Sequence, residues 1–449
     1  MELKDLALLS NGSLQGNTVE VSEFSIDTRS IKKGEVYIAI EGQNFDGHDF
    51  IRDAENKGAR ALIVSREVTS SLPFIVVNNT LDFMETIAVH NRSSFSGNVI
   101  GITGTNGKTT SKQILSSLLS KIYKTHKTDG NKNNHIGVPF SMLNMENQYT
   151  SSVLEIGTSQ VGEIKNLTNL VKPNIAAITN VSSGHLQGLR DTDSIADEKG
   201  DILKFYDSNG IAILPRDSSY FKYWCSKTNS KKVVSFGIHE DSDFKVINAS
   251  IDVENNLTSF QLMHDGLIEE CSINGVGIHN TLNAAMGLAI CSELGIDISE
   301  VKEALRDVDF PERRLSIHKS IGNSILIDDS YNSNPASMKR SIDVLDSMPK
   351  YKKICLFGEM KELAEDSSSL HSEIYEYAKD KVDYFFCLGE DWSGIKDSGE
   401  TDFRIFSYQE ELYESVKKLI NPNLVKPVVI LVKGSRSTRM DVIADKLKN

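Results

Sequence analysis

A glycine-rich loop at residues 101–112, GITGTNGKTTSK, has the composition of a phosphate-binding loop. It follows an apolar, strand-like run and precedes a helix-forming run. Glycines let backbone N–H groups turn towards bound phosphates, and the start of a helix adds the positive end of its dipole. Lys108 is expected to neutralise the β- and γ-phosphates of a nucleoside triphosphate, and Thr109 to hold Mg²⁺. The predicted nucleotide contacts in this loop are Gly104, Thr105, Asn106, Gly107, Lys108, Thr109 and Thr110.

Other polar residues of chemical interest stand where further apolar runs end. Glu155 offers the hard oxygen atoms that Mg²⁺ prefers, although an exposed carboxylate at a strand end would look the same. Asp329 is expected to accept hydrogen bonds from ribose hydroxyls, while Asp328 must point to the opposite face of the strand. Lys433 and Arg436 follow the last apolar run, where they would bind a carboxylate or a phosphate unless they are only surface cations.

The strands and helices predicted around these residues fall into three blocks along the chain. Residues 1–82 alternate short apolar runs with turns, which predicts a small α/β unit. Residues 83–312 predict a P-loop-type parallel sheet covered on both faces, with a buried helix at 281–295. After a polar hinge, PERR, residues 313–449 alternate strands and helices, which predicts a Rossmann-like sheet with ligands at the carboxyl ends of its strands. The expected fold class is therefore α/β with three domains.

The composition argues against several classes of protein. The formal net charge of −13 over 449 residues makes binding to a nucleic-acid backbone unexpected. Five cysteines without CxxC spacing fit reduced thiols better than disulfides or a zinc site. No apolar run reaches the roughly 18 residues of a membrane span, and the first residues lack the pattern of a signal peptide. We expect a cytoplasmic protein, and we also expect it to act as a monomer.

Motifs along the whole chain resemble those of the Mur ligase family. The general pattern GxxxxGK would need glycine where Ile102 stands, whereas TGTNGKTT is the form found in that family. The matching stretches are SIDTRSIKKGEVYIAIEGQNFDGHDFI, NKNNHIGVP, LEIGTSQVGEI, NVSSGHLQGL, HNTLNA, DDSYNSNPASM, FGEMKEL and VKGSRS. The resemblance implies an ADP-forming amide-bond ligase that uses ATP and Mg²⁺. Its implied substrates are UDP-N-acetylmuramoyl-tripeptide, held by a UDP-sugar-binding first domain, and D-alanyl-D-alanine. They would be joined through an acyl phosphate to form a pentapeptide precursor of peptidoglycan.

The resemblance also implies roles for individual residues. His185 would contact a second metal ion, and Lys199 would be carbamylated by CO₂ so that it offers anionic oxygens to the metals. Asn280 and Asn283 would lie near adenine or substrate, although Asn280 could instead cap a helix. The expected catalytic residues are Lys108, Lys199, His185 and Glu155, and the expected metal ligands are Thr109, Glu155, His185 and Lys199. The expected substrate contacts are Asp27, Thr28, Arg29, Asn44, Asp46, His48, Asn133, Asn134, Asn332, Lys433 and Arg436.

Some alternatives stay open at this point. Arg314 would reach the nucleotide across the hinge, but its neighbour Arg313 could do so instead. A sibling ligase that adds a single amino acid, or a folylpolyglutamate-type enzyme, would share the phosphate loop; DDSYNSNP and the first block argue against both. A non-catalytic nucleotide-binding regulator would have no need of Lys199 beside Glu155 and His185. The third residue of the tripeptide is not predicted.

Overall fold

Three sheets, each packed against helices, make up the computed structural model of the chain. The structure describes residues 1–448 apart from residues 22, 43, 147, 183–190, 207, 362, 364–366, 397–398, 400 and 421–425. The α-helices are α1 Leu3–Leu9, α2 Ile51–Asn56, α3 Thr80–Ser94, α4 Lys108–Leu119, α5 Gly137–Leu143, α6 Glu163–Val171, α7 Thr192–Gly200, α8 Phe221–Lys227, α9 His279–Glu293, α10 Ile298–Val301, α11 Pro335–Asp346, α12 Ser367–Ala378, α13 Gln409–Leu419 and α14 Met440–Leu447. No helix among these described residues is both long and apolar enough to cross a membrane.

The first sheet is small and mostly parallel. Its strands are β1 Ser13–Gln15, β2 Phe24–Ser25, β3 Val36–Ile38, β4 Ala61–Val64 and β5 Phe74–Val76, in the order β1-β5-β4-β3-β2. β1 pairs antiparallel with β5, whereas the pairs β2–β3, β3–β4 and β4–β5 are parallel. Phe83, Met84 and Ile87 of α3 are buried in the core of this sheet. The expected domain boundary after residue 82 therefore falls inside α3, and the division at 82, 312 and 449 stays a prediction.

The central sheet carries the glycine loop. Its strands are β6 Asn98–Thr103, β7 Thr125–Lys127, β8 Ser151–Glu155, β9 Ile175–Ile178, β10 Ile211–Pro215, β11 Lys232–Gly237, β12 Phe244–Asp252, β13 Leu257–His264 and β14 Leu267–Asn274. The order is β14-β13-β12-β11-β10-β9-β6-β8-β7. The pairs from β7 to β12 are parallel, as predicted. The antiparallel pairs β12–β13 and β13–β14 were not predicted, although Asp265-Gly266 is a typical hairpin turn sequence.

The third sheet resembles a Rossmann sheet with one antiparallel edge. Its strands are β15 Ser316–Ser320, β16 Ser324–Asp329, β17 Lys352–Gly358, β18 Tyr384–Leu388, β19 Asp402–Phe406 and β20 Val428–Lys433, in the order β15-β16-β20-β17-β18-β19. The pairs from β16 to β19 are parallel, whereas β15 pairs antiparallel with β16. The predicted α/β class is confirmed, and the carboxyl ends of β16 and β20 bring Asp329 and Lys433 together.

The predicted buried helix at 281–295 is α9, which begins at His279. Its alanines, Met286 and Leu288 pack with Ile114, Leu115 and Leu118 of α4 in one core with the central sheet. Because α4 begins at Lys108, this apolar contact fixes the helix that follows the glycine loop. The core of the central sheet thus holds the first turn of α4 at the end of β6.

Candidate nucleotide and metal site

A cavity lies between the carboxyl ends of the central strands and those of the third sheet. Its polar lining combines the glycine loop with residues from both sheets. The lining residues are Thr105, Asn106, Gly107, Lys108, Thr109, Thr110, Asn131, Asn133, Glu155, His279, Asn280, Phe310, Arg314, Leu315, Asp329, Tyr331, Asn332, Ser333, Asn334, Ser337, Arg340, Ser341 and Lys433. Lys108 and Asp329, expected to contact one nucleotide from two sheets, therefore border the same space.

The glycine loop has the shape that its residue types predicted. Gly104 has φ 150° and lies so close to Thr179 that a Cβ atom would meet its Oγ1 at 1.8 Å. Gly107 has φ 82°, and a Cβ atom there would meet Asn283 Oδ1 at 2.9 Å. Both positions thus require glycine. Asn283 lies against the loop, which is where a contact to a bound nucleotide would be made.

Lys108 lies within its own loop. Its Nζ donates hydrogen bonds to the carbonyl oxygens of Gly104 at 2.8 Å and Thr105 at 3.2 Å. Burial lowers the pKa of Lys108, Glu155 opposes that shift, and the charge of Arg314 lowers the pKa further. The amine therefore points into the concave side of the loop, where it can meet phosphate oxygens.

Glu155 is buried at the floor of the cavity, with only 1% of its surface exposed. Its Oε1 accepts hydrogen bonds from Thr109 Oγ1 at 3.1 Å and from Asn133 Nδ2 at 2.7 Å. Its Oε2 lies 3.3 Å from Lys112 Nζ and accepts no hydrogen bond of good geometry. An incompletely satisfied carboxylate oxygen beside the Thr109 hydroxyl is a donor set that suits Mg²⁺.

The described residues contain no group of three or more His, Cys, Asp or Glu side chains that could hold a metal ion. Mg²⁺ usually keeps several waters and binds one or two protein ligands together with substrate phosphates. The pair of Thr109 and Glu155 fits that kind of site rather than an all-protein cage. His185 lies outside the described residues, so its expected contact with a metal stays a prediction.

Lys112 was not singled out from the sequence. It lies one turn after Lys108 on α4, its side chain is fully buried, and its Nζ donates to the carbonyl oxygen of Gly130. The ammonium therefore joins Glu155 to the loop that carries Asn133. The signal in the sequence was the position of Lys112 among the buried residues of an amphipathic helix, where a lysine needs a partner.

Lys199 is buried on α7, with 2% of its surface exposed. Burial holds the pKa of Lys199 well below its usual value, Lys108 lowers the pKa further, and Glu198 opposes the shift. No carboxylate among the described residues forms an ion pair with this amine. Glu198, its neighbour, accepts hydrogen bonds from the backbone N–H groups of Gly162 at 2.6 Å and Ile164 at 2.8 Å. These bonds hold α7, which carries Lys199, against the start of α6.

The other end of the cavity is formed by the start of α9 and by the hinge. Asn280 is buried and donates to the carbonyl oxygen of Val276 at 3.1 Å, so it does not cap α9, whose N-cap is Ile278. Burial, together with the charges of Arg340 and Lys433, lowers the pKa of His279 to about 3. The start of α9 therefore contributes a neutral amide and a neutral imidazole to the cavity.

The two hinge arginines point in different directions. The guanidinium of Arg314 lines the cavity and lies 4.4 Å from the ring centre of Tyr331. Arg313 instead forms an ion pair with Asp445, with Nη2 and Oδ2 at 2.9 Å. The geometry thus favours Arg314 as the residue that reaches a nucleotide.

Asp329 and Lys433 form a buried pair at the carboxyl ends of the neighbouring strands β16 and β20. Lys433 Nζ donates to Asp329 Oδ2 at 2.5 Å and to the carbonyl oxygen of Asn332 at 3.0 Å. Ser341 Oγ donates to the same carboxylate at 2.7 Å. Burial lowers the pKa of Lys433, while Asp329 opposes the shift. Lys433 therefore connects the end of β20 to Asp329 and to the loop that carries Asn332. It also borders the cavity.

A second, more open cavity adjoins the first, since Asn332 lines both. Its other lining residues are Lys361, Ser435, Arg436, Ser437 and Arg439. The guanidinium of Arg436 makes no hydrogen bond to any residue that the structure describes, and its Nη1 is 3.5 Å from Asp441 Oδ2. Arg439 has φ 53° and donates from Nε to Asp441 Oδ1 at 3.2 Å. Three guanidinium groups thus share the Asp441 carboxylate, because Arg313 Nη1 is also 3.8 Å from its Oδ2. Those of Arg436 and Arg439 line this cavity and can bind a further anion.

The residues expected to bind uridine diphosphate lie in segments that connect the strands of the first sheet, and they line neither cavity. Asp27 and Arg29 form an exposed ion pair, and Thr28 is buried near them; Asn44 is exposed. Asp46 accepts from Nδ1 of His48 at 2.6 Å, and His48 Nε2 accepts from Ser65 N–H at 3.0 Å. Asp46 and His48 thus have structural partners already, and their predicted substrate contacts stay predictions. Asn134, expected to contact substrate, accepts from the N–H groups of Ile136 and Gly137 at the start of α5.

Comparison with known proteins identifies the family. Residues 20–91 match the Mur ligase family catalytic domain, residues 102–291 the Mur ligase middle domain, and residues 313–436 the Mur ligase glutamate ligase domain. The chain is 33% identical over 448 residues to a UDP-N-acetylmuramoyl-tripeptide–D-alanyl-D-alanine ligase of Buchnera aphidicola, covering 100% of this chain and 98% of that protein. It is 32% identical to the protein of the same name from Escherichia coli, with 99% and 98% covered.

Solved structures agree with these sequence matches. A crystal structure of MurF from Acinetobacter baumannii superposes with a TM-score of 0.88 at 26% identity, covering 99% of this chain and 98% of that one. MurF ligase from Thermotoga maritima, crystallised in complex with ADP, has a TM-score of 0.80 at 28% identity, with 95% and 97% covered. The similarity therefore extends through all three sheets, and the chain belongs to the Mur ligase family.

Proposed function

We propose that this chain joins D-alanyl-D-alanine to UDP-N-acetylmuramoyl-tripeptide, with ATP converted to ADP and phosphate. The observation that carries the proposal is the connection between two cavities: one holds the glycine loop and Glu155, the other is lined by arginines, and Asn332 borders both. A phosphoryl-transfer site next to a site for a carboxylate-bearing amine is what such a ligase needs. The relatives named above carry this activity in their names.

The reaction has two steps. An oxygen of the tripeptide carboxylate attacks the γ-phosphorus of ATP, and the bond to the β–γ bridging oxygen breaks, which releases ADP and leaves an acyl phosphate. The amine of the dipeptide then attacks the acyl carbon, loses a proton, and expels phosphate together with the former carboxylate oxygen. Both steps need aligned partners and neutralised charge more than a protein nucleophile.

Residues at the loop would supply this alignment. Lys108 and the backbone N–H groups of the loop would bind the β- and γ-phosphates, and Asn283 would contact the nucleotide beside Gly107. Thr109 and Glu155 would hold Mg²⁺, which when bound neutralises charge on the transferring phosphoryl group. Arg314 would add a second positive group from the hinge.

Lys199 would act as a carbamate. In its deprotonated form the amine can attack the carbon of CO₂ and lose a proton, which replaces a potential ammonium by an anionic oxygen group. The low pKa that burial gives to Lys199 supports this step, because only the unprotonated amine is nucleophilic. A carbamate would supply further hard oxygens towards the metal site, alongside His185 of the undescribed segment 183–190.

The arginine-lined cavity would hold the carboxylate of the dipeptide. Arg436 has unused donors, and Lys361 is already neutralised by Glu359 at 2.9 Å and Asp391 at 3.1 Å. The free positive charge therefore comes chiefly from the guanidinium groups, which match a carboxylate. With its carboxylate held there, the amine of the dipeptide would face Asn332 and the phosphate loop.

A substrate panel tests the proposed function. Purified protein with ATP, Mg²⁺ and the tripeptide nucleotide should release phosphate with D-alanyl-D-alanine at least about 100-fold faster than with glutamate, lysine or diaminopimelate, because a site built for one set of polar groups rejects ligands that leave them unpaired. Malachite-green detection of phosphate and mass spectrometry of the amide product provide the measurement. Phosphate release with a single amino acid, but not with the dipeptide, would support a sibling ligase instead.

The same panel tests the arginine-lined cavity. D-Alanyl-D-alanine amide, which lacks the terminal carboxylate, should be a poor substrate through a raised KM. Equal KM values for the acid and the amide would count against a carboxylate site there, while leaving the ligase reaction itself supported. Run with lysine-containing and with diaminopimelate-containing tripeptides, the assay would also identify the third residue of the acceptor.

A further inference from the structure

The segment that follows β16 crosses from the third sheet to the phosphate loop. Asn334 Nδ2 donates a hydrogen bond to Asn106 Oδ1 at 2.8 Å, and Asn106 Nδ2 lies 3.4 Å from Asn334 Oδ1. The two side-chain amides thus face each other as a reciprocal pair. They are 228 residues apart in sequence and belong to different sheets.

Both members of this pair are held in place by other bonds. The carbonyl oxygen of Asn106 accepts from Thr179 Oγ1 at 2.7 Å and from Asn180 Nδ2 at 2.8 Å, so the loop residue is tied to the end of β9. Asn334 is the N-cap of α11, where its Oδ1 accepts from Ser337 N–H at 2.9 Å. The pair therefore connects the phosphate loop, which is bonded to the end of β9, to the start of α11.

A neighbouring contact crosses the same gap. Asn131 Nδ2 donates to Tyr331 Oη at 2.8 Å, and Arg314 lies over the ring of Tyr331. Asn131 belongs to the loop that also carries Asn133, the partner of Glu155. The segment between Tyr331 and Asn334 thus meets the central sheet at both the phosphate loop and the Glu155 loop, and Asn332 between them borders the arginine-lined cavity.

We propose that Asn334 is a positioning residue, which holds the phosphate loop at a set distance from the cavity that receives the amine substrate. The proposal rests on the function proposed above. The acyl phosphate forms on the loop side, while the amine arrives from the third sheet beside Asn332. Among the described residues, the amide pair links these sides directly at the phosphate loop, so it sets the approach of the amine to the acyl carbon.

This role predicts a particular defect. If the link is lost, phosphoryl transfer on the loop side continues, but the amine is misplaced and water can consume the acyl phosphate. Misplacement of about 1 Å can cost about 100-fold in rate. The number of ADP molecules formed per amide should therefore rise above one, which general loss of stability would not produce.

The test is the replacement of Asn334 by serine and, separately, by aspartate. Serine and aspartate cap helices as well as asparagine does, so α11 should keep its cap and the melting temperature should stay within about 2 °C of wild type. Neither residue can donate an amide hydrogen bond to Asn106. We expect the rate of amide formation to fall by about 10- to 100-fold, with the ratio of ADP to amide clearly above one.

Asn79 offers a matched control. It also caps its helix, α3, with its side chain accepting from Leu81 N–H at 2.7 Å, but it lines neither cavity. Asn79→Ser should leave the rate and the ratio unchanged. The proposal is overturned if the Asn334→Ser and Asn334→Asp proteins both fold, form amide within about twofold of the wild-type rate and keep a ratio of ADP to amide of one. If the serine variant does not fold, the result for the aspartate variant decides. Absence of dipeptide-dependent phosphate release in the wild type would instead refute the proposed function.

Discussion

Replacing Lys199 with methionine should remove nearly all ligase turnover and raise the melting temperature at neutral pH. Turnover should fall by about 1,000-fold or more, because removing a preorganised electrostatic group from an active site commonly costs about 100- to 1,000-fold and a metal ligand would be lost as well. Stability should increase because a buried amine without a carboxylate partner is replaced by an apolar chain of similar length. Activity assays and thermal melts of the same preparation measure both effects.

The gain in stability should depend on pH in a defined direction. Burial holds the pKa of Lys199 well below its unfolded value, so between the two pKa values the unfolded wild type binds more protons than the folded protein. The stability of the wild type therefore rises with pH through that window. The advantage of the methionine variant should be greatest near neutral pH and should shrink as the pH approaches 10.5, in melts recorded in buffer depleted of CO₂.

Two controls separate this account from a general effect of removing a lysine. Lys204 is half exposed on the same side of the sheet and pairs with Asp201 at 2.5 Å, so Lys204→Met should change neither turnover nor the pH dependence of the melt. Short carboxylic acids should partly restore turnover to Lys199→Ala by occupying the anionic position. Near-normal turnover in a well-folded Lys199→Ala protein would refute the assignment of Lys199.

The second large effect concerns Glu155 and Lys112, whose charges meet at 3.3 Å in the interior. Glu155→Gln should lower the free energy of unfolding by about 3–5 kcal/mol, because it leaves the fully buried ammonium of Lys112 without its counter-charge. It should also lower turnover by at least about 100-fold, since the carboxylate expected to hold Mg²⁺ is gone. Urea denaturation and steady-state assays measure the two losses.

A double variant separates stability from catalysis. Glu155→Gln with Lys112→Met removes both charges, so most of the lost stability should return, as expected for partners that interact directly. Turnover should stay low, because no carboxylate has been restored. Recovery of turnover in the double variant would mean that Glu155 matters only as the counter-charge of Lys112, and its place as a metal ligand would have to be abandoned.

The features predicted from the sequence are those with a local pattern. The glycine loop could be recognised because strand, glycines and helix follow one another directly, and Gly104 and Gly107 do require the absence of a Cβ atom. The third sheet was predictable because apolar strands alternate with amphipathic helices. The antiparallel strands β12 to β14 were not predicted, because they are not continuous apolar runs. Their pattern in the sequence is the half-buried alternation along β12 and the Asp265-Gly266 turn.

The features that could not be predicted depend on distant parts of the chain. Lys112 meets Glu155 across 43 positions of sequence, and nothing in its neighbours indicates which carboxylate it will face. The pair of Asn106 and Asn334 is likewise invisible until two sheets are packed together. Arg313 and Arg314 are adjacent and chemically identical, so only the backbone at the hinge separates the residue that enters the cavity from the one that pairs with Asp445.

We expect the tripeptide carboxylate to be activated as an acyl phosphate on the loop side of the cavity. The most direct test uses tripeptide nucleotide whose terminal carboxylate carries ¹⁸O, with ATP, Mg²⁺ and D-alanyl-D-alanine. Because the carboxylate oxygen that attacks the γ-phosphorus leaves with phosphate, each phosphate should contain one ¹⁸O atom and be formed in equal amount with ADP and amide. Unlabelled phosphate, or AMP and pyrophosphate in proportion to amide, would contradict the account.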